Sequence, residues 1–474
     1  MTADWNIPAS LPADDWLEGL NAVPGMAPGA SSVTDPDTRV LFVDANVFDG
    51  TSDGLAMHRN VLVESNVIST ISEAPIEVPD TTRRVDCSGK TLMPGLIDGH
   101  CHLAIPDHFD TIEKSYTAGD LHLSAAVAAR HMVLDGFTTG RDMGGPAFAL
   151  KRNIDAGRFI GPRIYPSGAF ISQTSGHGDF RHRSDPHPGL CKCEAAANFH
   201  RFGIGQIADG DAEVLMATRQ NLMQGAAQIK IMAGGGGASA YDPIDVAQYT
   251  EHEMKAAVDA ATDWNTYVGA HIFTDKAIRR FVGAGGKSIE HGFFMGREVM
   301  EMVSDHGVYV VPQMWGMSPE LFNNPLVDPS KHDGIKAMQD TYKHFAPWLL
   351  ELGVEVVFAS DLVGPVPDAI KSRRYELYWR TQAFGSNFEV LRQATSKAGK
   401  LLAESGPRNP YPGKLGVIEE GALADILVID GNPLTDITVL GATDRWFADP
   451  DNPAPVDSIE VIMKDGTFIK NLLG

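Results

Sequence analysis

The sequence predicts an α/β protein built on a TIM-like (β/α)8 barrel, with a small β-sandwich domain formed from both termini. Strand-like apolar runs alternate with helical segments between about residues 92 and 400, and this order is typical of parallel strands with covering helices. Short segments in which apolar and polar residues alternate lie before and after that region. Histidine, lysine and aspartate residues follow several of the apolar runs, where a barrel places its functional side chains.

The chain divides into three predicted units. Residues 1–37 are rich in Pro, Ala and Asp and show no sustained period, so we expect a loosely packed N-terminal arm. Residues 38–91 and residues 413–474 contain alternating segments that break at turn residues. Neither piece is large enough to form a domain alone, and we expect the two to form one β-sandwich together. Residues 92–412 are expected to form the barrel.

The first candidate site is a pair of histidines at the end of a predicted strand. His100 and His102 close the segment Pro94-Gly-Leu-Ile-Asp-Gly-His-Cys-His. Residues i and i+2 of a strand point to the same face, so both imidazoles can face one point. Cys101 points to the opposite face, and we expect it to pack in the core. A His-x-His pair is half of a metal site, although two partly buried core histidines produce the same pattern.

Four further residues of ligand type end other apolar runs, namely Lys230, His271, His291 and Asp361. A single polar residue after a strand is commonly a helix cap or a turn residue. Six such residues are better explained by a barrel, because the carboxyl ends of its parallel strands face one cavity. A doubly wound sheet has the same alternation of strands and helices, but an open sheet cannot direct so many distant strand ends to one point. We therefore expect the six side chains to converge in a closed barrel.

With these segments the chain resembles the amidohydrolase superfamily, specifically its imidazolonepropionase-like branch of Xaa-Pro dipeptidases, carboxypeptidases and ochratoxinase-type enzymes. The resemblance extends from about Val40 to the C-terminus and is specific for the superfamily and branch rather than for a substrate. The matching segments are Leu92-Met-Pro-Gly-Leu-Ile-Asp-Gly-His-Cys-His, Gly136-Phe-Thr-Thr-Gly-Arg-Asp, Ser172-Gln-Thr-Ser-Gly-His-Gly-Asp, Ile229-Lys-Ile-Met-Ala, Gly269-Ala-His, Ser288-Ile-Glu-His-Gly and Gly421-Ala-Leu-Ala-Asp-Ile-Leu-Val-Ile-Asp-Gly-Asn-Pro.

The resemblance implies a centre of two divalent metal ions, with zinc as the expected metal. In such a centre His100, His102 and Asp361 hold the more buried ion. His271 and His291 hold the more exposed ion. Water bound to these ions loses a proton near neutral pH, and the resulting hydroxide attacks a carbonyl carbon.

The resemblance also implies that Lys230 carries a CO2-derived carbamate that bridges the two ions. A lysine ammonium would repel a dication, whereas a carbamate is an anionic bidentate ligand. A structural lysine that caps a strand or pairs with an acid is the alternative. Asp361 is implied to accept the proton of the attacking hydroxide and to pass it to the leaving nitrogen. Glu290 precedes a ligand and points away from it, so we expect it to support the ligands or to pack in the barrel.

Three residues are predicted to contact the substrate. The branch has a histidine at the position of His177 that reaches the substrate, and a surface histidine in a turn is the alternative. Tyr241 follows a glycine run in a loop, where it is a substrate contact, a lid or a solvated tyrosine. Phe273 lies where peptidase-like relatives often have a Tyr or His that donates to the scissile carbonyl. Arg181 and Arg183 are either partners of a substrate carboxylate or solvated loop charges.

The sequence therefore predicts a binuclear metal-dependent hydrolase that cleaves an amide bond in an N-acyl amino acid, an aryl amide or a dipeptide-like substrate. The missing donor at Phe273 argues against ordinary dipeptides and leaves room for an aryl amide or a carbamate. A carbamate, urea or lactone hydrolase with the same site is the alternative. A non-catalytic scaffold of this family would show substituted ligands, and here all six are present.

The amino-acid composition of the chain restricts the kinds of molecule that it is expected to bind. The formal net charge of −22, from 39 basic and 61 acidic residues, argues against nucleic acid, because phosphate binding depends on clustered Lys and Arg. No apolar run is long enough to cross a bilayer, and the N-terminus lacks the pattern of a signal peptide. We expect a cytoplasmic enzyme with a small-molecule substrate, and the resemblance suggests a homo-oligomer.

Overall fold

The computed structural model describes residues 39–187, 197–239, 241–323, 327, 329–361, 363–447, 449 and 453–474. The predicted N-terminal arm at residues 1–37 lies outside the described residues. Among the described residues, no helix is both long enough and apolar enough to cross a membrane.

Five strands precede the barrel, and they follow the alternating segments of the sequence. Their bounds are β1 (Arg39–Val47), β2 (Ala56–Glu64), β3 (Val67–Ser72), β4 (Arg83–Asp86) and β5 (Thr91–Pro94). The tight turn between β2 and β3 has a positive φ of 55° at Ser65.

The next strands form two parallel sheets. Their bounds are β6 (Leu96–Cys101), β7 (Phe137–Asp142), β8 (Arg163–Pro166), β9 (Phe170–Ser172), β10 (Gly205–Ile207), β11 (Ile229–Met232), β12 (Val268–Thr274), β13 (Ser288–Phe294) and β14 (Tyr309–Val311). One sheet has the order β6–β7–β8, and the other has the order β10–β9–β11–β12–β13–β14. All neighbouring pairs in these two sheets are parallel.

Backbone hydrogen bonds join the two sheets at both ends. On one side β8 and β9 are successive pieces of a single chain segment, and the amide of Ala227 donates to the carbonyl of Pro166 over 2.8 Å. On the other side residues 354–361 lie between β14 and β6. The amide of Val357 donates to Val310, and the amide of Gly99 donates to Phe358. The parallel strands therefore surround a common interior.

Gly99 is required by this close approach. A Cβ at this position would lie 2.4 Å from the Val357 side chain and 2.8 Å from the Phe358 carbonyl oxygen. Only a residue without a side chain lets β6 pack this tightly against residues 354–361.

Helices follow the barrel strands and cover their outer side. Their bounds are α1 (Phe109–Ser115), α2 (Ala118–Leu134), α3 (Phe148–Asp155), α4 (Asn198–Arg201), α5 (Gly210–Gln224), α6 (Glu251–Asp263), α7 (Asp275–Gly283), α8 (Arg297–Asp305), α9 (His332–Glu351), α10 (Val366–Phe384), α11 (Asn387–Gln393) and α12 (Ser396–Ala403). Capping boxes begin α2 at Thr117 and α6 at Thr250. Glycines in the left-handed conformation end α5 at Gly225 and α10 at Gly385.

Three strands near the C-terminus return to the N-terminal strands. They are β15 (Ile426–Ile429), β16 (Ile459–Lys464) and β17 (Thr467–Asn471). The eight-stranded sheet has the order β17–β16–β15–β5–β1–β2–β3, with β4 also paired with β1. One face of this sheet forms an apolar core of its own, whereas side chains of the other face, among them Met93, Leu427 and Ile462, belong to the same core as the barrel. Both termini therefore build one β unit, as the sequence predicted, while the exact division at residues 91/92 and 412/413 stays a prediction.

Candidate metal centre and active site

The histidines, the lysine and the aspartate predicted as ligands lie together at the carboxyl ends of the barrel strands. His100 lies in β6 and His102 directly follows it, Lys230 lies in β11, and His271 and His291 lie in β12 and β13. Asp361 ends the segment 354–361. All six line the same cavity. The structure thus brings together every residue of the predicted ligand set.

His100, His102 and Asp361 form the tightest part of the group. The Nε2 atoms of His100 and His102 lie 3.3 Å apart. Oδ1 of Asp361 lies 3.1 Å from Nε2 of His100 and 3.2 Å from Nε2 of His102. One donor atom each from His100, His291 and Asp361 also falls within 4.8 Å of the others. Nitrogen and carboxylate oxygen donors at this spacing suit a divalent cation such as zinc.

Two of these residues have a strained backbone. Asp361 has a φ of 50° and His291 a φ of 74°, in the left-handed region that non-glycine residues rarely adopt. Each such residue costs roughly 1–3 kcal/mol and persists only where surrounding contacts hold it. The amide of Asp361 donates to the carbonyl of His100 over 2.9 Å. This hydrogen bond ties the end of segment 354–361 to the end of β6.

The environment keeps most of the imidazoles uncharged. Burial lowers the pKa of His102, and it lowers the pKa of His271 well below the ordinary value. Burial, together with the neighbouring His100 and Lys230, lowers the pKa of His291 to about 3, although Asp361 acts in the opposite direction. A neutral imidazole has a free lone pair, which is the form that binds a metal ion.

The Asp361 carboxyl group is ionised. Burial alone would raise its pKa, but the neighbouring imidazoles of His100, His291 and His102 outweigh burial. The pKa of Asp361 therefore lies well below the usual range. An ionised carboxylate can both bind a cation and accept a proton.

Lys230 is buried within the ligand group. Its Nζ lies 3.2 Å from Nε2 of His100. Burial lowers the pKa of Lys230 to about 8, and Arg141 acts in the same direction, while Glu290 and Asp361 act against it. A substantial fraction of this amine is therefore neutral near physiological pH, in contrast to an ordinary lysine.

A buried ion pair supports the ligands from behind. The Glu290 carboxylate accepts from Nδ1 of His100 over 2.8 Å and from NH2 of Arg141 over 2.7 and 2.8 Å. Arg141 also donates to Ser288 over 3.1 Å. The bond between His100 and Glu290 fixes the tautomer of His100, because Nδ1 carries the proton that Glu290 accepts, and Nε2 faces the cavity. The structure therefore places Glu290 behind the ligands, one of the two positions that the sequence suggested.

Gln313 fixes the orientation and the tautomer of His291. Its Oε1 accepts from Nδ1 of His291 over 2.6 Å, so Nε2 of His291 keeps its lone pair. Sequence reasoning missed Gln313 and Arg141. Arg141 lies in one of the segments that carried the family resemblance, whereas Gln313 follows the short strand β14 and has no local signal.

His177 lies against the ligand His271. The two rings stack with centroids 4.0 Å apart and an interplanar angle of 17°. Nδ1 of His177 lies 2.7 Å from Oγ of Ser239 and 3.5 Å from Oδ2 of the buried Asp242. Lys331 donates to the Asp242 carbonyl over 2.8 Å and also contacts the Gly236 carbonyl. His177 is therefore held at the edge of the cavity by a loop that the sequence did not identify as a support.

The cavity above the ligands has a volume of about 170 Å³ and mostly apolar walls. Phe273 is buried in the wall, with its ring centroid 4.7 Å from that of His271 and 5.5 Å from that of His291. Phe293 and Trp315 also line the cavity. Phe273 therefore lies beside the ligands, while its contact with the substrate stays a prediction.

Tyr241, which was predicted to contact the substrate, does not line this cavity, and neither do Arg181 and Arg183, whose roles the sequence left open. Tyr241 is partly exposed, and the guanidinium of Arg183 lies 5.1 Å from its ring centroid. Arg181 forms a bidentate ion pair with Asp179, with distances of 2.7 and 2.6 Å. A role of Tyr241 in substrate binding stays a prediction.

The chain is similar to known proteins along most of its length. The family model described as "Amidohydrolase family" matches residues 91–449. Ochratoxinase of Aspergillus niger is 30% identical over 416 residues, which cover 82% of this chain and 80% of ochratoxinase.

Solved structures match over almost the whole chain. A prolidase complexed with N-methylphosphonate-L-proline has a TM-score of 0.79 and 32% identity, covering 92% of this chain and 100% of the prolidase. The crystal structure of A. niger ochratoxinase has a TM-score of 0.77 and 25% identity, covering 92% of this chain and 96% of that chain. The predicted fold class, a TIM-like barrel with a second domain, is confirmed.

Proposed function

The chain belongs to the amidohydrolase family and is a hydrolase that acts on carbon–nitrogen bonds, and we propose that it cleaves an amide bond at a centre of two divalent metal ions. The predicted family and enzyme class are confirmed. The observation that carries the proposal is the convergence of the six predicted ligands on one cavity.

The donor set fits divalent metal ions. Three side chains, His100, His102 and Asp361, would hold the more buried ion. His271 and His291 would hold the more exposed ion. Bound ions of this kind lower the pKa of water to about 7 and polarise a carbonyl group. Zinc is the proposed metal, although histidine and carboxylate ligands also suit other divalent ions.

Lys230 is proposed to bind both ions as a carbamate. Its neutral amine can attack CO2, forming an N–C bond and releasing one proton. The pKa of about 8 favours this reaction, because the protonated amine has no lone pair. The product is an anion in a position where an ammonium would oppose cation binding.

Asp361 is proposed to move the proton during the reaction. Its ionised carboxylate faces the cavity and can accept a proton from the attacking water. The same group can then donate that proton to the leaving nitrogen, acting as base and then as acid. The similarity to ochratoxinase and to the prolidase, within the amidohydrolase family, supports the assignment of an amide bond.

Carbamate hydrolysis is the second candidate. Phe273 offers no donor to the scissile carbonyl, so less transition-state charge is stabilised than with a Tyr or His at this position. Substrates with good leaving groups, such as activated carbamates and aryl amides, depend least on such a donor. A homo-oligomer and a cytoplasmic location stay predictions from the sequence.

A substrate panel tests the proposal. The purified protein, loaded with Zn²⁺ or Mn²⁺ in the presence of bicarbonate, is assayed with aryl amides, N-acyl amino acids, dipeptides, carbamates and a lactone. We expect hydrolysis of aryl amides, loss of activity with a chelator and recovery on addition of metal. Turnover of the lactone or the carbamates alone, or activity that survives complete metal removal, would contradict the proposal.

A further inference from the structure

We infer that the substrate is an uncharged amide that carries an aromatic ring, an inference that rests on the proposed function. It narrows the substrate class, because the sequence alone left N-acyl amino acids, which bear a carboxylate, among the candidates. Three observations carry it: the composition of the cavity wall, the size of the cavity and the arrangement of the nearby cations.

The wall of the cavity is apolar outside the ligand group. Apart from the six predicted ligands, His177 and Gln313 are the only polar side chains among the described residues that line it. Six aromatic side chains contribute to the wall, and they are Phe109, Phe170, Phe180, Phe273, Phe293 and Trp315. Aromatic walls favour flat apolar groups, which can stack or meet ring edges at little cost.

The cavity is large enough for an aromatic ring. Its volume is about 170 Å³. A closed apolar cavity of roughly 150 Å³ binds benzene. The space beside the ligands therefore accommodates an aromatic ring next to the scissile group.

No described side chain in the cavity wall offers a substrate carboxylate an unpaired cation. Lys230 belongs to the ligand group. His177 contacts Asp242, so any positive charge on its ring is matched by that carboxylate. All Lys and Arg residues of the chain except Lys192 fall within the described residues.

The cations around the cavity mouth are engaged elsewhere. Arg181 is paired with Asp179, and Arg183 lies over the ring of Tyr241. The buried Lys331 donates to the carbonyl groups of Gly236 and Asp242 and lies 3.7 Å from the Asp242 carboxylate. A carboxylate placed against the apolar wall, away from the metal centre, would thus lose its water without gaining a side-chain cation.

The lost hydration of a substrate carboxylate predicts that the enzyme prefers neutral substrates to anionic ones. An ionised group buried without a partner costs more than a neutral group of the same shape, since a single unsatisfied polar group already costs about 1–3 kcal/mol. That cost corresponds to a ratio of about tenfold or more in kcat/KM, because 1.36 kcal/mol is tenfold in rate.

The experiment compares two substrates of equal shape with the metal-loaded full-length enzyme. They are 4-acetamidobenzamide, which is neutral, and 4-acetamidobenzoate, which is an anion, and the release of acetate is followed for both. We expect kcat/KM for the neutral substrate to exceed that for the anion by about tenfold or more. Equal rates, or a faster anion, would overturn the inference while leaving amide hydrolysis intact.

Two sets of variants locate the cause. Val363 lines the cavity and is half-buried, so Val363→Lys supplies a cation and Val363→Met is the uncharged control of similar length. We expect the lysine variant to lower the preference for the neutral substrate and the methionine variant to leave the ratio unchanged. Arg183→Ala should also leave the ratio unchanged. A selective loss of turnover for the anion in Arg183→Ala would show that Arg183 binds the carboxylate and would overturn the inference.

Failure of the proposed function and failure of the inference give different results. If the enzyme cleaves neither substrate nor any other amide of the panel, the proposed function fails and the inference fails with it. If it cleaves amides but prefers the anion, only the inference fails. The wild-type comparison decides between these outcomes even if a Val363 variant does not fold.

Discussion

At Asp361 a left-handed backbone turns an ionised carboxylate toward three histidines at the end of its strand. The strain is tolerated because the amide of Asp361 and the neighbouring Ser360 are both tied to β6. Ser360 donates through its hydroxyl to the Asp98 carboxylate over 2.5 Å, and the Asp361 amide donates to the His100 carbonyl. One residue thus combines a fixed position with the charge that binding and proton transfer require.

Asp361→Asn is expected to fold and to bind at least one metal ion but to lose turnover. An amide can bind a cation through oxygen but cannot accept a proton, so kcat should fall by about 10²–10⁴-fold. Steady-state kinetics and metal analysis of the variant check this. Turnover near that of the wild type, with an unchanged pH profile, would exclude Asp361 as the proton carrier.

Loading of the metal-free protein is expected to depend on pH through Lys230. The pKa of this lysine is lowered to about 8, so the neutral, CO2-reactive amine becomes more abundant as the pH rises through 8 and scarcer as it falls below. At fixed dissolved CO2 and metal concentrations, the rate of activation should therefore rise from pH 6 to about pH 8 and then level off. Activation at the same rate across this range would argue against a carbamate on Lys230.

Phe273→Tyr is expected to shift the substrate preference toward dipeptides. The new hydroxyl would lie beside His271 and His291, where it can donate to the scissile carbonyl. A single donor of this kind can change kcat by about 10²-fold. The ratio of kcat/KM for dipeptides to that for aryl amides is the quantity to measure. If the wild type already prefers dipeptides and the variant gains nothing, Phe273 is only part of the wall.

At the scale of elements, the loop after β11 shows why a glycine run follows a ligand strand. A Cβ at Gly236 would lie 2.0 Å from the His177 ring, and one at Gly235 would lie 1.8 Å from the Pro243 carbonyl oxygen. The loop therefore packs directly against His177, whereas the sequence showed only a glycine run before Tyr241. Its contacts depend on residues far apart in the chain, which no local pattern reveals.

Gly236→Ala is expected to displace His177 and to lower kcat/KM by about tenfold or more, because the ring loses its position beside His271. Gly237→Ala is the matched control, since a Cβ there meets no atom within 4 Å. Activity assays and melting temperatures of both variants test this. Equal activity of the two variants would show that the position of His177 does not matter for the reaction.

The same contrast explains how much of the site was predictable. Strand ends carry a local signal, an apolar run followed by a polar residue, so the ligand positions from His100 to Asp361 could be predicted. Gln313, Asp242 and Arg141 act through contacts that form only in the folded barrel. Gln313 supports the ligand His291, Arg141 supports Glu290 behind His100, and Asp242 supports His177.

At the scale of the molecule, the β unit and the barrel are joined by a buried ion pair. Arg163 of β8 donates to the Asp425 carboxylate over 3.0 Å through two nitrogens and to Asp465 over 2.7 Å. Alternation predicted strands at both termini, but the insertion of β5 between β1 and β15 depends on long-range pairing. The fold class was thus predictable, whereas the strand order was not.

Metal content is the most direct test of the central claim, a centre of two ions bridged by modified Lys230. The fully active wild-type enzyme is expected to contain two divalent ions per chain. Elemental mass spectrometry of the purified protein measures this metal content. Lys230→Ala should retain at most one ion and lose activity, with partial rescue by a short-chain carboxylate that fills the gap. Lys255→Ala, at an exposed lysine of α6, is the control and should retain both ions. Full activity of the wild type with a single bound ion per chain would contradict the account.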